Sequence, residues 1–122
     1  MPIRPLDVTV IFDATLRKPA PKMVVCIHPA NGWFYRINSK GHWRPRVAVA
    51  LAEHGFLDHD SFVECGDPLE LDDYVVHEAL ERHGIVGTIS ASACPGIIAA
   101  LDECITIRRR DREEIIALLT GI

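Results

Sequence analysis

What this sequence lacks narrows it before any motif does. No apolar run approaches the ~18 residues needed to cross a bilayer, so neither a membrane span nor a membrane partner is expected. The first residues, Met-Pro-Ile-Arg-Pro-Leu-Asp, lack the uncharged apolar core of a secretory leader, and a cytoplasmic location is the default expectation. The four cysteines, Cys26, Cys65, Cys94 and Cys104, are widely spaced and form no Cys-x-x-Cys pair. A chain of 122 residues buries enough apolar surface to fold without disulfide staples. Each cysteine has apolar neighbours, so four buried free thiols are expected. Their spacing is not that of a structural zinc motif, and no metal or other cofactor is expected. No internal repeat and no linker divides the chain, which reads as one domain.

Two stretches lack charge of one sign. Residues 14–52 carry seven Lys or Arg and no acid, whereas residues 53–81 carry ten Asp or Glu and no Lys or Arg. The formal net charge of −4 conceals this division. Either the basic segment lines a surface for a polyanion, or the two segments neutralise each other across the fold.

What is present is ordinary globular composition, with 48% hydrophobic and 25% charged residues, which excludes a disordered chain. Residues 8–12 are β-branched and read as a first strand, followed by an exposed loop from Asp13 to Pro21 with two prolines and two basic residues. The apolar, valine-rich run Met23–Ile27 reads as a buried strand. The segment His28-Pro-Ala-Asn-Gly is turn chemistry, with Asn31-Gly32 as its hairpin signal, and the partner strand is Trp33–Asn38. Alternation sets Trp33, Tyr35 and Ile37 on one face and Phe34, Arg36 and Asn38 on the other. Short strands are expected at residues 47–51 and 61–65, the latter closed by Gly66-Asp-Pro.

Helical spacing then takes over. Leu71, Val75, Val76, Ala79 and Leu80 mark a helix stopped by Gly84. Ser90 or Ser92 can cap a second, running to about Cys104 with Pro95 in its first turn. A third spans residues 113–119 behind an Asp111/Glu114 capping box, or else starts further upstream in Arg108-Arg-Arg. Strands first and helices after give an α+β class with a mostly antiparallel sheet.

This order of elements resembles the PemK/MazF-like toxins, small SH3-like barrels followed by helices. The resemblance covers about residues 21–107, with the barrel at about 7–66 and the helical part at about 69–122. Lys22-Met-Val-Val-Cys-Ile looks like the family's second strand, Ile37-Asn38-Ser39 like its Ile-Thr-Ser/Thr segment, and Asp60-Ser-Phe-Val like the approach to its last barrel strand. Residues 79–90, followed by an apolar helix, look like its Leu-x-x-x-Ile-Gly-x-Leu-Ser and terminal helix. The resemblance implies a metal-independent endoribonuclease acting on single-stranded RNA, a homodimer, and a cognate antitoxin as partner. It also exposes departures. The family's arginine falls on Lys22, its threonine on Asn38, and an Arg-Cys-Asp run on Glu64-Cys65-Gly66; lysine lacks the planar fork that grips a phosphate.

The resulting catalytic candidates are Lys22, Arg36, Ser39 and His59, with His28 and His42 as other acid–base choices. The RNA-contacting candidates are Arg17, Lys18, Asn38, Lys40, His42, Trp43 and Arg44, the last four forming a basic-aromatic loop suited to backbone neutralisation and base stacking. Each has a plainer alternative: a solvated strand arginine at Arg36, a pre-strand lysine at Lys22, turn residues at Asn38 and Ser39, a barrel plug at Trp43. The Asp58-His59-Asp60 triplet points successive side chains to opposite faces and is poor geometry for a metal chelate. Three readings follow: an RNA-cleaving toxin, a related barrel that binds RNA or a protein partner without cleavage, and an unrelated small α+β enzyme or adaptor.

Overall fold

The valine-rich run lies in β2 (Ala20–His28), between β1 (Asp7–Asp13) and β3 (Trp33–Asn38), in a computed structural model that describes residues 3–41 and 45–122. His42, Trp43 and Arg44, three of the expected RNA contacts, lie outside the described residues. β2 begins earlier than its apolar run and contains Pro21, which stands opposite Phe12. The Val8 carbonyl accepts from the Val86 N–H, so even-numbered residues of β1 turn their backbone groups away from β2. Pro21 therefore sits where β1 requires no N–H. Asp13, expected in an exposed loop, is instead the buried last residue of β1.

The β2–β3 connection is a single helical turn, Pro29–Asn31, closed by Gly32 N–H on the Pro29 carbonyl at 3.1 Å. Gly32 has φ of +68°, and a Cβ there would stand 2.5 Å from the Leu71 carbonyl oxygen, so only glycine fits. A register shift between Cys26 and His28 turns the end of β2, and His28 packs on the Trp33 ring and faces Glu114.

The other edge of β3 is where the sheet becomes unusual. β5 (Ser61–Glu64) pairs with its end, Ile37 and Asn38, while β6 (Leu69–Glu70) pairs with its start, Trp33 and Phe34. Six steps along one chain, Val63 to Leu69, therefore stand against three along the other, Ile37 to Phe34. The excess, containing Gly66, Asp67 and Pro68, leaves the ladder, and Pro68 has no N–H to return to it. β4 (Arg46–Val49) lies outside β5 and is shorter than expected, because Leu51 N–H is taken by the Asp60 carboxylate at 2.8 Å instead of a ladder partner.

α1 (Asp73–Arg82) ends before Gly84, which has φ of +68°, and β7 (Gly87–Thr88) then pairs with β1. α2 (Cys94–Glu103) follows a turn in which Ser90 accepts the Ser92 N–H, with Pro95 in the first helical turn. α3 (Arg109–Thr120) takes the upstream start, so Asp111 lies in its first turn and pairs with Arg108.

The fold is α+β, a curled antiparallel sheet ordered β4-β5-β3-β2-β1-β7 with three helices. Alternation on β3 is as expected: Trp33, Tyr35 and Ile37 enter the larger core beneath α2 and α3, while Phe34 enters a smaller core beneath α1. Each large side chain so buried contributes about 1.5–3 kcal/mol. All four cysteines are free and buried. Burial pushes the thiols of Cys26 and Cys65 up to about 12 and raises that of Cys94. Among the described residues no helix is long and apolar enough to cross a membrane.

Candidate functional site

α1 covers only part of its side of the sheet. Arg36 and Asn38, two and four residues beyond Phe34 on the same face, line an open cleft of about 380 Å³ instead. Its mouth opens at the break between β5 and β6, where Glu64, Gly66, Asp67 and Leu69 form one wall. Thr15 and Leu16, from the loop after β1, form the other. Phe34 contributes an apolar floor.

Arg36 is held from one side. Its Nε–H donates to Asp13 Oδ2 at 2.7 Å and its Nη2 to Thr15 Oγ1 at 3.1 Å. Thr15 in turn donates its hydroxyl to Asp13 Oδ1 at 2.5 Å and its backbone N–H to the same oxygen at 3.0 Å. Burial alone would raise the Asp13 carboxyl, but the hydrogen bonds from Arg36 and Thr15, with the guanidinium charge, outweigh it and hold the group below its ordinary value. The guanidinium has five N–H donors in a fixed plane. Asp13 and Thr15 engage the Nε/Nη2 edge, and among the described residues no hydrogen-bond partner takes the Nη1/Nη2 edge, a two-pronged donor. A fork of that shape matches a phosphate or a carboxylate.

Glu64 and Asn38 form the second polar pair. The Asn38 Nδ2–H donates to Glu64 Oε1. Glu64 follows Val63, the partner of Ile37, on β5, yet the Arg36 guanidinium turns to Asp13 and the carboxylate to Asn38. Beyond Asn38, the Arg46 guanidinium lies 5.3 Å over the Phe62 ring. Asp67 accepts the Thr106 hydroxyl at 2.5 Å, tying the cleft wall to the α2–α3 junction.

The structure gathers some of the expected residues and separates others. Arg36 and Asn38 share the cleft, and Lys22 lies on the same face of β2 as Val24, the partner of Arg36. Arg17 and Lys18 are exposed on the loop that supplies Thr15 and Leu16, and Ser39 and Lys40 are exposed just after Asn38. His59 is exposed at the far end of β5 from Glu64, its carbonyl accepting from Ser61. His28 is turned toward α3 by the register shift. His54 is buried: its Nδ1 bonds the Ala50 carbonyl at 2.9 Å and its Nε2 accepts the Ser90 N–H at 3.0 Å. It splices two loops and does not meet the cleft.

Asp13, Thr15 and Asp67 were not among the expected site residues. The local Asp-x-Thr pattern at a strand end is a recognisable side-chain-to-backbone turn, but nothing local connects it to Arg36. Compared with models of known protein families, with curated proteins and with solved structures, the chain matches none.

Proposed function

We propose that this chain is a PemK/MazF-like SH3-type barrel whose cleft binds single-stranded RNA without cutting it. The observation that carries the reading is the Arg36 guanidinium, fixed side-on by Asp13 and Thr15 with its second edge left for a phosphate. The exposed Arg17, Lys18 and Lys40 follow the cleft-lining Leu16 and Asn38 closely in the chain and form the basic rim of this reading, with Lys22 on the face of β2 that carries Val24, the partner of Arg36. Such a rim neutralises the backbone on either side of the gripped phosphate. Binding without cleavage is favoured because Lys22, Ser39 and His59, three of the four groups expected to catalyse, lie outside the cleft lining.

The reading with cleavage has one observation in its favour: a carboxylate, Glu64, beside a phosphate-shaped fork. There the ribose 2′-oxygen attacks its own 3′-phosphorus and gives its proton to Glu64. The P–O5′ bond breaks, and the leaving oxygen takes a proton from Lys22 or from water. A homodimer and a protein antitoxin belong to this reading.

Purified protein incubated with labelled single-stranded RNA in EDTA separates the two. Salt-sensitive binding with intact RNA, lost in Arg36→Ala, is the expected result. Products ending in a 2′,3′-cyclic phosphate establish the cleaving form. RNA that neither binds nor breaks at low salt overturns both.

A further inference from the structure

A carboxylate in a site for a polyanion repels its ligand unless it accepts a hydrogen bond from it, and Glu64 lines this cleft together with Arg36. We propose that the Asn38–Glu64 pair reads a guanine base while Arg36 holds the neighbouring phosphate. The inference rests on the RNA-cleft reading above and names the nucleotide it selects.

Asn38 donates one Nδ2 hydrogen to Glu64 Oε1, which places the amide and the carboxylate side by side. The second Nδ2 hydrogen is still a donor, and each carboxylate oxygen accepts two hydrogen bonds. The pair therefore presents one donor followed by two acceptors. The Watson–Crick edge of guanine offers the complement in the same order: O6 accepts, and N1–H and the N2 amine donate. Adenine sets its N1 acceptor, cytosine its N3 and O2 acceptors, and uracil its O2 acceptor against a carboxylate oxygen. Each of those contacts is repulsive. Leu16, Phe34 and Leu69 supply apolar walls, and the cleft volume of about 380 Å³ admits one base.

The test is fluorescence anisotropy with short oligouridylates carrying one central 2′-deoxyguanosine, 2′-deoxyinosine, 2′-deoxyadenosine or 2′-deoxycytidine; the missing 2′-hydroxyl blocks cleavage at that nucleotide. The guanosine oligonucleotide should bind about tenfold more tightly than the adenosine and cytidine ones, within the range of one bidentate base contact. Inosine, which lacks only the N2 amine, should lose most of that advantage. Glu64→Gln should bring the four affinities together. If that variant loses its native circular dichroism, the guanosine–inosine comparison on the native protein decides alone. Equal binding of all four overturns the guanine assignment and leaves the RNA cleft standing; binding of none overturns the RNA reading itself.

Discussion

Arg36 and Asp13 join at 2.7 Å although β2 lies between their strands, and Asp13 is 4% exposed. The ion pair fixes the guanidinium in the cleft and fixes its own pH dependence. The Asp13 carboxyl is held below its ordinary value of 3.8, because the Arg36 and Thr15 hydrogen bonds outweigh the cost of burial. A carboxyl depressed in the folded state adds stability that is complete above its unfolded pKa. That stability fades as pH falls through the lower folded value. Asp13→Asn should therefore be less stable than the native chain by about 2 kcal/mol at neutral pH, the scale of a charge-assisted hydrogen bond. The gap should hold down to about pH 4 and close below it. Urea midpoints of both proteins across that range check this; a gap that widens with acid would contradict it.

Gly32 joins the hairpin to the wall of the cleft. Its carbonyl accepts the Leu71 N–H at 2.8 Å, and its missing Cβ admits the Leu71 carbonyl. Gly32→Ala meets both a left-handed backbone and a clash with main chain. It should cost at least about 2 kcal/mol, where the backbone conformation alone accounts for about 1–2. Thermal unfolding measures the loss. Hydrogen exchange should quicken at Phe34 and Leu69, because the β3–β6 pairing depends on this approach.

What the sequence disclosed follows the range of each signal. Trp33–Asn38 shows its two faces because alternation is written in consecutive residues, and Asn31-Gly32 marks the hairpin because the turn needs one left-handed residue. The two-residue strands β6 and β7 carry no such pattern; they exist only where β3 and β1 supply partners. Asp13 read as loop because its partner Arg36 lies 23 positions away. His28 read as a free turn histidine because the register shift that turns it toward α3 is set by β-pairing, not by its neighbours. Half the cleft was visible as Arg36 and Asn38 on one strand face. The other half depends on the excess of chain between β5 and β6, for which Gly66-Asp-Pro was the only local sign.

Arg112, near the start of α3, closes the end of α2. Its Nε donates to the Leu101 carbonyl at 3.2 Å and its Nη2 to the Cys104 carbonyl at 2.7 Å. Cations near a helix C-terminus satisfy carbonyls left without partners and complement the dipole. Arg112→Met keeps the apolar stem and removes both bonds, and should lower stability by about 1–2 kcal/mol. Arg112→Lys should recover only part, since one ammonium does not reproduce a planar fork. Full recovery by lysine in chemical denaturation would show that charge alone is at work.

The four thiols supply a test of the core that is independent of any ligand. Cys26 and Cys65 are completely buried, with thiols pushed up to about 12, and Cys94 and Cys104 are only 6% and 5% exposed. Only the thiolate attacks an alkylating reagent, so at pH 8 Cys26 and Cys65 should resist iodoacetamide twice over, by exclusion and by protonation, and Cys94 and Cys104 by exclusion. Intact mass after brief exposure should show no adduct, and four after labelling in denaturant. Slow native labelling should follow the opening of the fold, and the logarithm of its rate should rise in Gly32→Ala in proportion to the loss of stability. If one cysteine instead labels rapidly in the native protein, its peptide identifies the part of the core that opens locally.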